Sequence, residues 1–247
     1  MLLNVDANQL EWVCAVYLSG DKVGYDEILN AKDLHTDNQK KFNLPERRIA
    51  KIFLFRLIYG GVIFHKDPLF MEVSARKKFW DDIIEQFYNK YKGLHKWHIF
   101  LLNTVVSTGK WVNPTGRIYT FERQKNPWTQ SLEWPRTQIL NYPVQGLAAD
   151  TMAVVRVLLH SSLVHSALLP EVKQIATVHD SILLDIPEEL CYTIVKMVQK
   201  AFDDTPAAFE ALFGVPFDLP YRCEITVGPN KKDMTKWVVN ANLPQLT

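Results

Sequence analysis

The stretch QIATVHDSILLDIP, residues 174–187, holds two short apolar runs, Ile175 to Val178 and Ile182 to Ile186, with His179 and Asp180 between them. Such runs, rich in β-branched side chains and far shorter than a typical helix, predict strands, and the polar pair between them predicts a tight hairpin turn. A hairpin pairs its strands antiparallel. One element therefore points to an antiparallel sheet with a histidine and an aspartate at an exposed tip.

Working outward, "LLNVD" at residues 2–6 reads as a short buried strand that delivers Asp6 to the start of a helix, "QLEWVCAVYLSG", ending at Gly20. "PERRIAKIFLFRLIYGG" at 45–61 has proline and an acid at its start and a glycine pair at its end, and predicts a helix with Pro45 in the first turn. Residues 74–102 predict an amphipathic helix broken near Gly93, with Phe79, Ile83, Phe87 and Tyr91 forming a core stripe. Turn residues Asn113, Pro114 and Gly116 ahead of Ile118 and Thr120 predict a hairpin or meander. "NYPVQG" (141–146) reads as a turn before a long apolar helix over 146–164. Pro187 opens another helix carrying Leu190, Ile194, Val195, Val198, Ala201 and Phe202, and a last strand, "YRCEITVG", precedes a basic tail. Strands and helices in this irregular order predict an α+β fold with an antiparallel sheet.

Composition narrows the function. At 247 residues, 47% hydrophobic and 12% aromatic, the chain can bury a sizeable core. Its N-terminus carries no basic leader, no uninterrupted apolar run reaches the length of a membrane span, and the expected location is the cytoplasm. Cys14, Cys191 and Cys223 lack metal-ligand spacing and are expected to pack as small apolar residues. Net charge is only +1, so a nucleic-acid role requires local charge. Residues 32–56 supply seven cations against three acids, whereas 185–218 hold seven acids and two lysines. Ordinary solvated faces produce the same imbalance.

Two constellations carry chemistry. Arg47, Lys51, Phe55 and Tyr59 recur every fourth residue and share one helical stripe. Two cations followed by two aromatics suit phosphate oxygens plus a stacked base, the combined needs of a nucleoside triphosphate. The alternative is an exposed cationic end beside a core-packed aromatic end. The second constellation is Asp180, which a local turn would also explain, together with Asp6 at the end of its own strand. Two carboxylates about 4 Å apart repel by roughly 4 kcal/mol at an effective dielectric near 20, so their convergence calls for a cation or a shared proton. Hard oxygen donors favour Mg²⁺ or Mn²⁺.

"DANQLEWVCAVYLSGD" (6–21), "RRIAKIFLFRLIYG" (47–60) and "VHDSI" (178–182) resemble motifs A, B and C of the family A DNA polymerases, in the same order. "DLHTDN" (33–38), "TGRIYTF" (115–121), "NYPVQGLAAD" (141–150) and "EITVGPN" (224–230) are similar to intermediate and C-terminal family segments. The resemblance, strongest to short phage-type enzymes, implies a right-hand fold: an antiparallel palm sheet over 1–20 and 101–247, and mainly helical fingers over 21–100. It implies template-directed addition of dNTPs to a primer 3′ end. Asp6 and Asp180 would be catalytic and would hold two Mg²⁺ ions, with Mn²⁺ as a substitute. Arg47 and Lys51 would bind phosphates, assisted by His35 and Gln9. Phe55 would lie against sugar and base, and Tyr59 with Glu11 would close the space of a ribose 2′-hydroxyl. Gln145, Asn141 and Arg136 would face the primer-template minor groove, and His179 the primer terminus.

Departures from the family pattern are Ala7 in place of an aromatic residue, Arg56 in place of glycine, Ser181 in place of glutamate and Lys231 in place of tryptophan. The chain also starts five residues before Asp6. The resemblance thus implies a split polymerase, whose partner polypeptide supplies the thumb and any 3′-5′ exonuclease. It further implies that the strand "LLNV" has lost sheet neighbours and exposes an edge. Two other readings compete. A His-Asp phosphohydrolase would draw on His35, His65, His95, His98, His160 and His165, and a non-catalytic palm-fingers module would hold DNA or a partner.

Overall fold

The computed structural model describes residues 1–127 and 129–237. In chain order the elements are β1 (Leu2–Ala7), α1 (Leu10–Ser19), α2 (Lys22–Leu29), α3 (Leu34–Lys41), α4 (Arg47–Ile58), α5 (Pro68–Met71), α6 (Lys77–Lys90) and α7 (Lys92–Thr108). Two small hairpins follow, β2 (Lys110–Val112) with β3 (Ile118–Thr120) and β4 (Gln124–Lys125) with β5 (Leu132–Glu133). The remainder is α8 (Arg136–His165), β6 (Lys173–Val178), β7 (Ser181–Asp185), α9 (Cys191–Phe213), β8 (Cys223–Gly228) and β9 (Thr235–Lys236). The chain divides into two compact units, Met1–Leu10 with Ala148–Thr247, and Glu11–Leu147.

The first unit is built on a five-stranded antiparallel sheet, ordered β6-β7-β1-β8-β9. Its two faces differ because strand residues alternate. Leu3 and Val5 pair with Leu184 and Ile182 on one side and with Val227 and Ile225 on the other. All six are buried, each worth about 1.5–3 kcal/mol on leaving water. Asn4 and Asp6 face the other way, beside Leu183 and Ser181 on β7 and Thr226 and Glu224 on β8. The fold class is therefore α+β with an antiparallel sheet, as the hairpin implied. One expectation is overturned: β1 is not an edge but the central strand, hydrogen-bonded on both sides. The edges are β6 and β9. Helix α9 buries Ile194, Val195, Val198, Ala201 and Phe202, with the Phe202 ring stacked 5.9 Å from Tyr221.

The second unit is helical around an aromatic core. Phe53 on α4 lies 4.9–6.1 Å, ring to ring, from Phe42, Phe64, Trp80 and Phe87. Helix α4 buries Ile49, Ala50, Phe53, Leu54, Leu57 and Ile58, which leaves the Arg47–Lys51 side of the cylinder outward.

Three local expectations change. Pro45 precedes α4, because Glu46, extended at φ −135°, is the N-cap and Arg47 the first helical residue. The break between α6 and α7 falls at Tyr91, and Gly93 lies inside the first turn of α7. Glycine is needed there because the Asp21 carboxylate accepts from the Gly93 and Leu94 amides at 2.7 and 3.1 Å. A Cβ on Gly93 would fall 2.6 Å from Asp21 Cα. Finally, residues 141–146 are not a turn but part of α8, with Pro143 inside the helix. Pro143 donates no helix hydrogen bond, but its carbonyl accepts from Asn113 Nδ2 at 2.8 Å, and Ile139, Leu140, Val144 and Leu147 around it are buried. Among the described residues, α8 alone is long and apolar enough to cross a membrane by length and composition, with mean hydropathy 1.4 over its most apolar 18 residues, 44% of which are buried in the fold.

Candidate active site

In the first unit the backbone does the positioning. Strand β6 meets β7 with Val178 paired to Ser181, so His179 and Asp180 are the two residues of the turn. His179 adopts φ +54°, a left-handed conformation uncommon outside glycine and costing about 1–3 kcal/mol, which the flanking pairing must sustain. Ser181 Oγ donates to the Val178 carbonyl at 2.9 Å across the same turn. Next to it, Asp6 is paired with Ser181 in register, and the Ala7 amide donates to the Asp180 carbonyl at 2.9 Å. The two carboxylate-bearing residues thus sit at adjacent ends of neighbouring strands, tied by the main chain. Asp6 and His179 are exposed and Asp180 half-buried. Gln9 follows in the turn after β1, at φ +54°.

The donor chemistry suits a hard divalent cation, since ionised carboxylates offer only oxygen acceptors and Mg²⁺ commonly takes one or two of them plus waters and substrate phosphates. Asp6 and Asp180 offer that two-carboxylate pattern, and among the described residues no cluster of three or more His, Cys, Asp or Glu is disposed to hold a metal. Glu224, opposite Asp6 in register on β8, is paired with Lys236 Nζ at 2.5 Å. Sequence reasoning did not single out Glu224, because only the pairing of β1 with β8 brings it beside Asp6.

In the second unit side chains do the positioning. Arg47 opens α4 and is held by Asp33: Nε donates to Oδ2 at 3.1 Å and Nη2 to Oδ1 at 3.0 Å. That guanidinium, with Thr36 donors adding to it, holds the Asp33 carboxyl well below the usual carboxylate range. Lys51, one turn on, is exposed, with Nζ 5.9 Å from the Phe55 ring centroid. His35 on α3 lies 5.9 Å from the same ring and is buried. Burial, then the Arg47 and Lys51 cations, pull its imidazole down to about 4, so it is neutral at pH 7. Tyr59 is the C-cap of α4, and its hydroxyl accepts from Gln145 Nε2 at 2.6 Å. Burial, then the Glu11 carboxylate nearby, push the phenol well above its ordinary value.

A groove of about 640 Å³ runs beside α4, lined among others by Lys51, Phe55, Arg56, Tyr59, Gly60 and Arg136. Arg136, at the start of α8, hydrogen-bonds Tyr88. Asn141 lies one turn before Gln145 on α8 and is half-buried. Arg56 pairs with Asp67 at 2.5 Å and covers the Phe70 ring at 4.9 Å, which ties α4 to the start of α5. The structure therefore assembles Arg47, Lys51, His35 and Phe55 as one group, Tyr59, Gln145 and Glu11 as another, and Asp6, Asp180 and His179 as a third. The sequence reading missed the role of Asp33, although an aspartate just before "LHTD" is an N-cap signal.

Several known proteins are similar to this chain. It is 25% identical over 241 residues to the thermostable DNA polymerase I of Thermus filiformis, covering 92% of this chain and 26% of that protein. It is 26% identical over 221 residues to DNA polymerase I of Lactococcus lactis, covering 83% and 24%. The chain thus spans about a quarter of the length of these curated relatives. A solved structure of the POL domain of Pol1 from M. smegmatis, in complex with DNA primer-template and dNTP, shares the fold with a TM-score of 0.76 at 20% identity, over 91% of this chain and 38% of that one. The sequence profile described as DNA polymerase family A matches residues 1–233, nearly the whole of the 247, and the chain belongs to that family.

Proposed function

We propose that this chain is the catalytic portion of a template-directed DNA polymerase that adds dNTPs to a primer 3′ end. The observation that carries the proposal is the main-chain bond from Ala7 to Asp180, which places residues Asp6 and Asp180 at adjacent strand ends of one sheet. Residues 1–20 and 101–247 are assigned to the palm and 21–100 to the fingers, although residues 101–147 pack with the helical unit.

Asp6 and Asp180 would hold two Mg²⁺ ions, for which Mn²⁺ could substitute. Such ions supply, when bound, the charge that lowers the pKa of the primer hydroxyl and stabilises the leaving pyrophosphate. The protein's own part is positioning and electrostatics. Arg47 and Lys51 grip the phosphates. Gln9 assists, and His35, neutral at pH 7, contributes hydrogen bonding and no charge. Phe55 lies against sugar and base, while Tyr59 and Glu11 fill the space of a 2′-hydroxyl and so favour deoxyribose. Gln145, Asn141 and Arg136 contact the minor-groove edge of the primer-template, where base pairs present similar acceptors and shape is checked without reading sequence. His179 stands at the primer terminus. A duplex held this way also needs a closing surface, so a thumb, on this polypeptide or on a partner that could carry an exonuclease, belongs to the proposal. The exposed-edge argument for a separate partner lapses, because β1 is internal.

Primer extension with Mg²⁺ and dNTPs, run beside Asp180→Ala, tests this. Template-dependent extension by the native chain, lost in the variant, is expected. Unchanged extension by Asp180→Ala would remove the metal assignment, and DNA binding without extension by the native chain would favour a module that only holds DNA.

A further inference from the structure

The Arg47 side chain presents the fork of N–H donors that a phosphate would use, and a carboxylate already occupies it. Asp33 meets Arg47 side-on through both oxygens, at 3.0 and 3.1 Å, the bidentate geometry that guanidinium also makes with phosphate. Asp33 is not a loosely placed surface acid. It is the N-cap of α3, accepting from the His35 and Thr36 amides at 3.2 and 3.3 Å and from Thr36 Oγ1 at 2.7 Å. Both partners remain reachable, with Arg47 and Asp33 side chains 55% and 49% exposed. Lys51, one turn along, makes no ion pair among the described residues. Beside them His35 is only 6% exposed and keeps Nδ1 without a hydrogen-bond partner. A polar atom buried without a partner calls for an explanation, and uptake of a water or an ion beside these two cations is one.

We propose that Asp33 is an internal competitor for Arg47, which an incoming triphosphate must displace and which recaptures the guanidinium as pyrophosphate leaves. The proposal rests on the reading of α4 as the triphosphate-binding helix. Removing the Asp33 charge then strengthens anion binding, because Arg47 is freed.

The test is isothermal titration of the full chain with dTTP and, separately, with inorganic pyrophosphate. Asp33→Asn and Asp33→Ser are the useful variants, since Asn and Ser cap a helix about as well as Asp, and a thermal melt checks that the cap survives. Binding of both ligands is expected to tighten by about two- to five-fold, the size of one exposed charge interaction. The gain should vanish when Arg47→Ala is combined with Asp33→Asn. Unchanged or weaker binding by both cap-preserving variants overturns the proposal, and so does a gain that persists without Arg47. If Arg47→Ala alone leaves dTTP binding intact, the reading of α4 has failed first. If it weakens dTTP binding while Asp33→Asn has no effect, only the role of Asp33 falls.

Discussion

The sheet and the helical unit hold their chemistry by different means. Asp6 and Asp180 have short side chains on residues fixed by strand register and by the Ala7–Asp180 bond. Arg47 and Lys51 carry their charge at the end of long flexible stems, and the Arg47 head group is placed by its salt bridge to Asp33. A carboxylate pair that must stay put suits a central strand flanked on both sides. On the proposed function, cations that take hold of a ligand and let it go suit a helix face and an exchangeable carboxylate. On that same proposal, rigidity is provided where charge repulsion has to be tolerated, and freedom where a substrate would pass.

If that division is right, losing a helix cation should weaken substrate use without harming the fold. Lys51→Ala is expected to lower kcat/KM for dNTPs by about 10- to 100-fold, the value of a charge-assisted bond, and to leave stability within about 0.5 kcal/mol, since Lys51 is exposed. Steady-state extension and a thermal melt measure both. A large loss of stability instead would make Lys51 a structural residue and blur the distinction.

A smaller effect should separate the two units by pH. The helical unit buries two histidines: His35 is held down to about 4 and His98 to about 3, in each case by burial first and then by neighbouring cations, Arg47 and Lys51 for His35 and Arg136 for His98. In the sheet unit His160, His165 and His179 are exposed. Unfolded imidazoles take up protons below about pH 6.5, whereas His35 and His98 resist until their lower folded values. The unfolded state therefore binds more protons in that window, and stability falls as pH drops from about 6.5 towards 4. Hydrogen exchange at pH 7 and pH 5 should show α3 and α7 amides losing protection before β1 and β7. Equal loss in both units would contradict the contrast.

Much of this was legible in the chain. The short apolar runs at 2–6 and 175–186 revealed their strands, and the four-residue spacing from Arg47 to Tyr59 revealed the outward face of α4. What stayed hidden was non-local. Nothing in "LLNVD" announces that β8, over two hundred residues later, pairs with it, so β1 was expected at an edge when it is central. Proline and glycine misled where tertiary contacts overrode local preference: Pro143 is retained inside α8 by buried neighbours, and Gly93 serves the close approach of Asp21 while the chain breaks at Tyr91. Asp33 counted in the sequence as one acid in a basic stretch and as the first residue of "DLHTDN". Its importance lies in a contact with Arg47, which no spacing rule reveals.

The claim on which the rest depends is that Asp6 and Asp180 form one metal-binding pair. Titrating Mn²⁺ into the native chain, Asp6→Asn and Asp180→Asn, with free Mn²⁺ followed by electron paramagnetic resonance, tests it most directly. The expected result is binding by the native chain that falls at least about ten-fold in each single variant, because one remaining carboxylate is a poor site for a hard cation. Native-like Mn²⁺ binding by either variant would contradict the account.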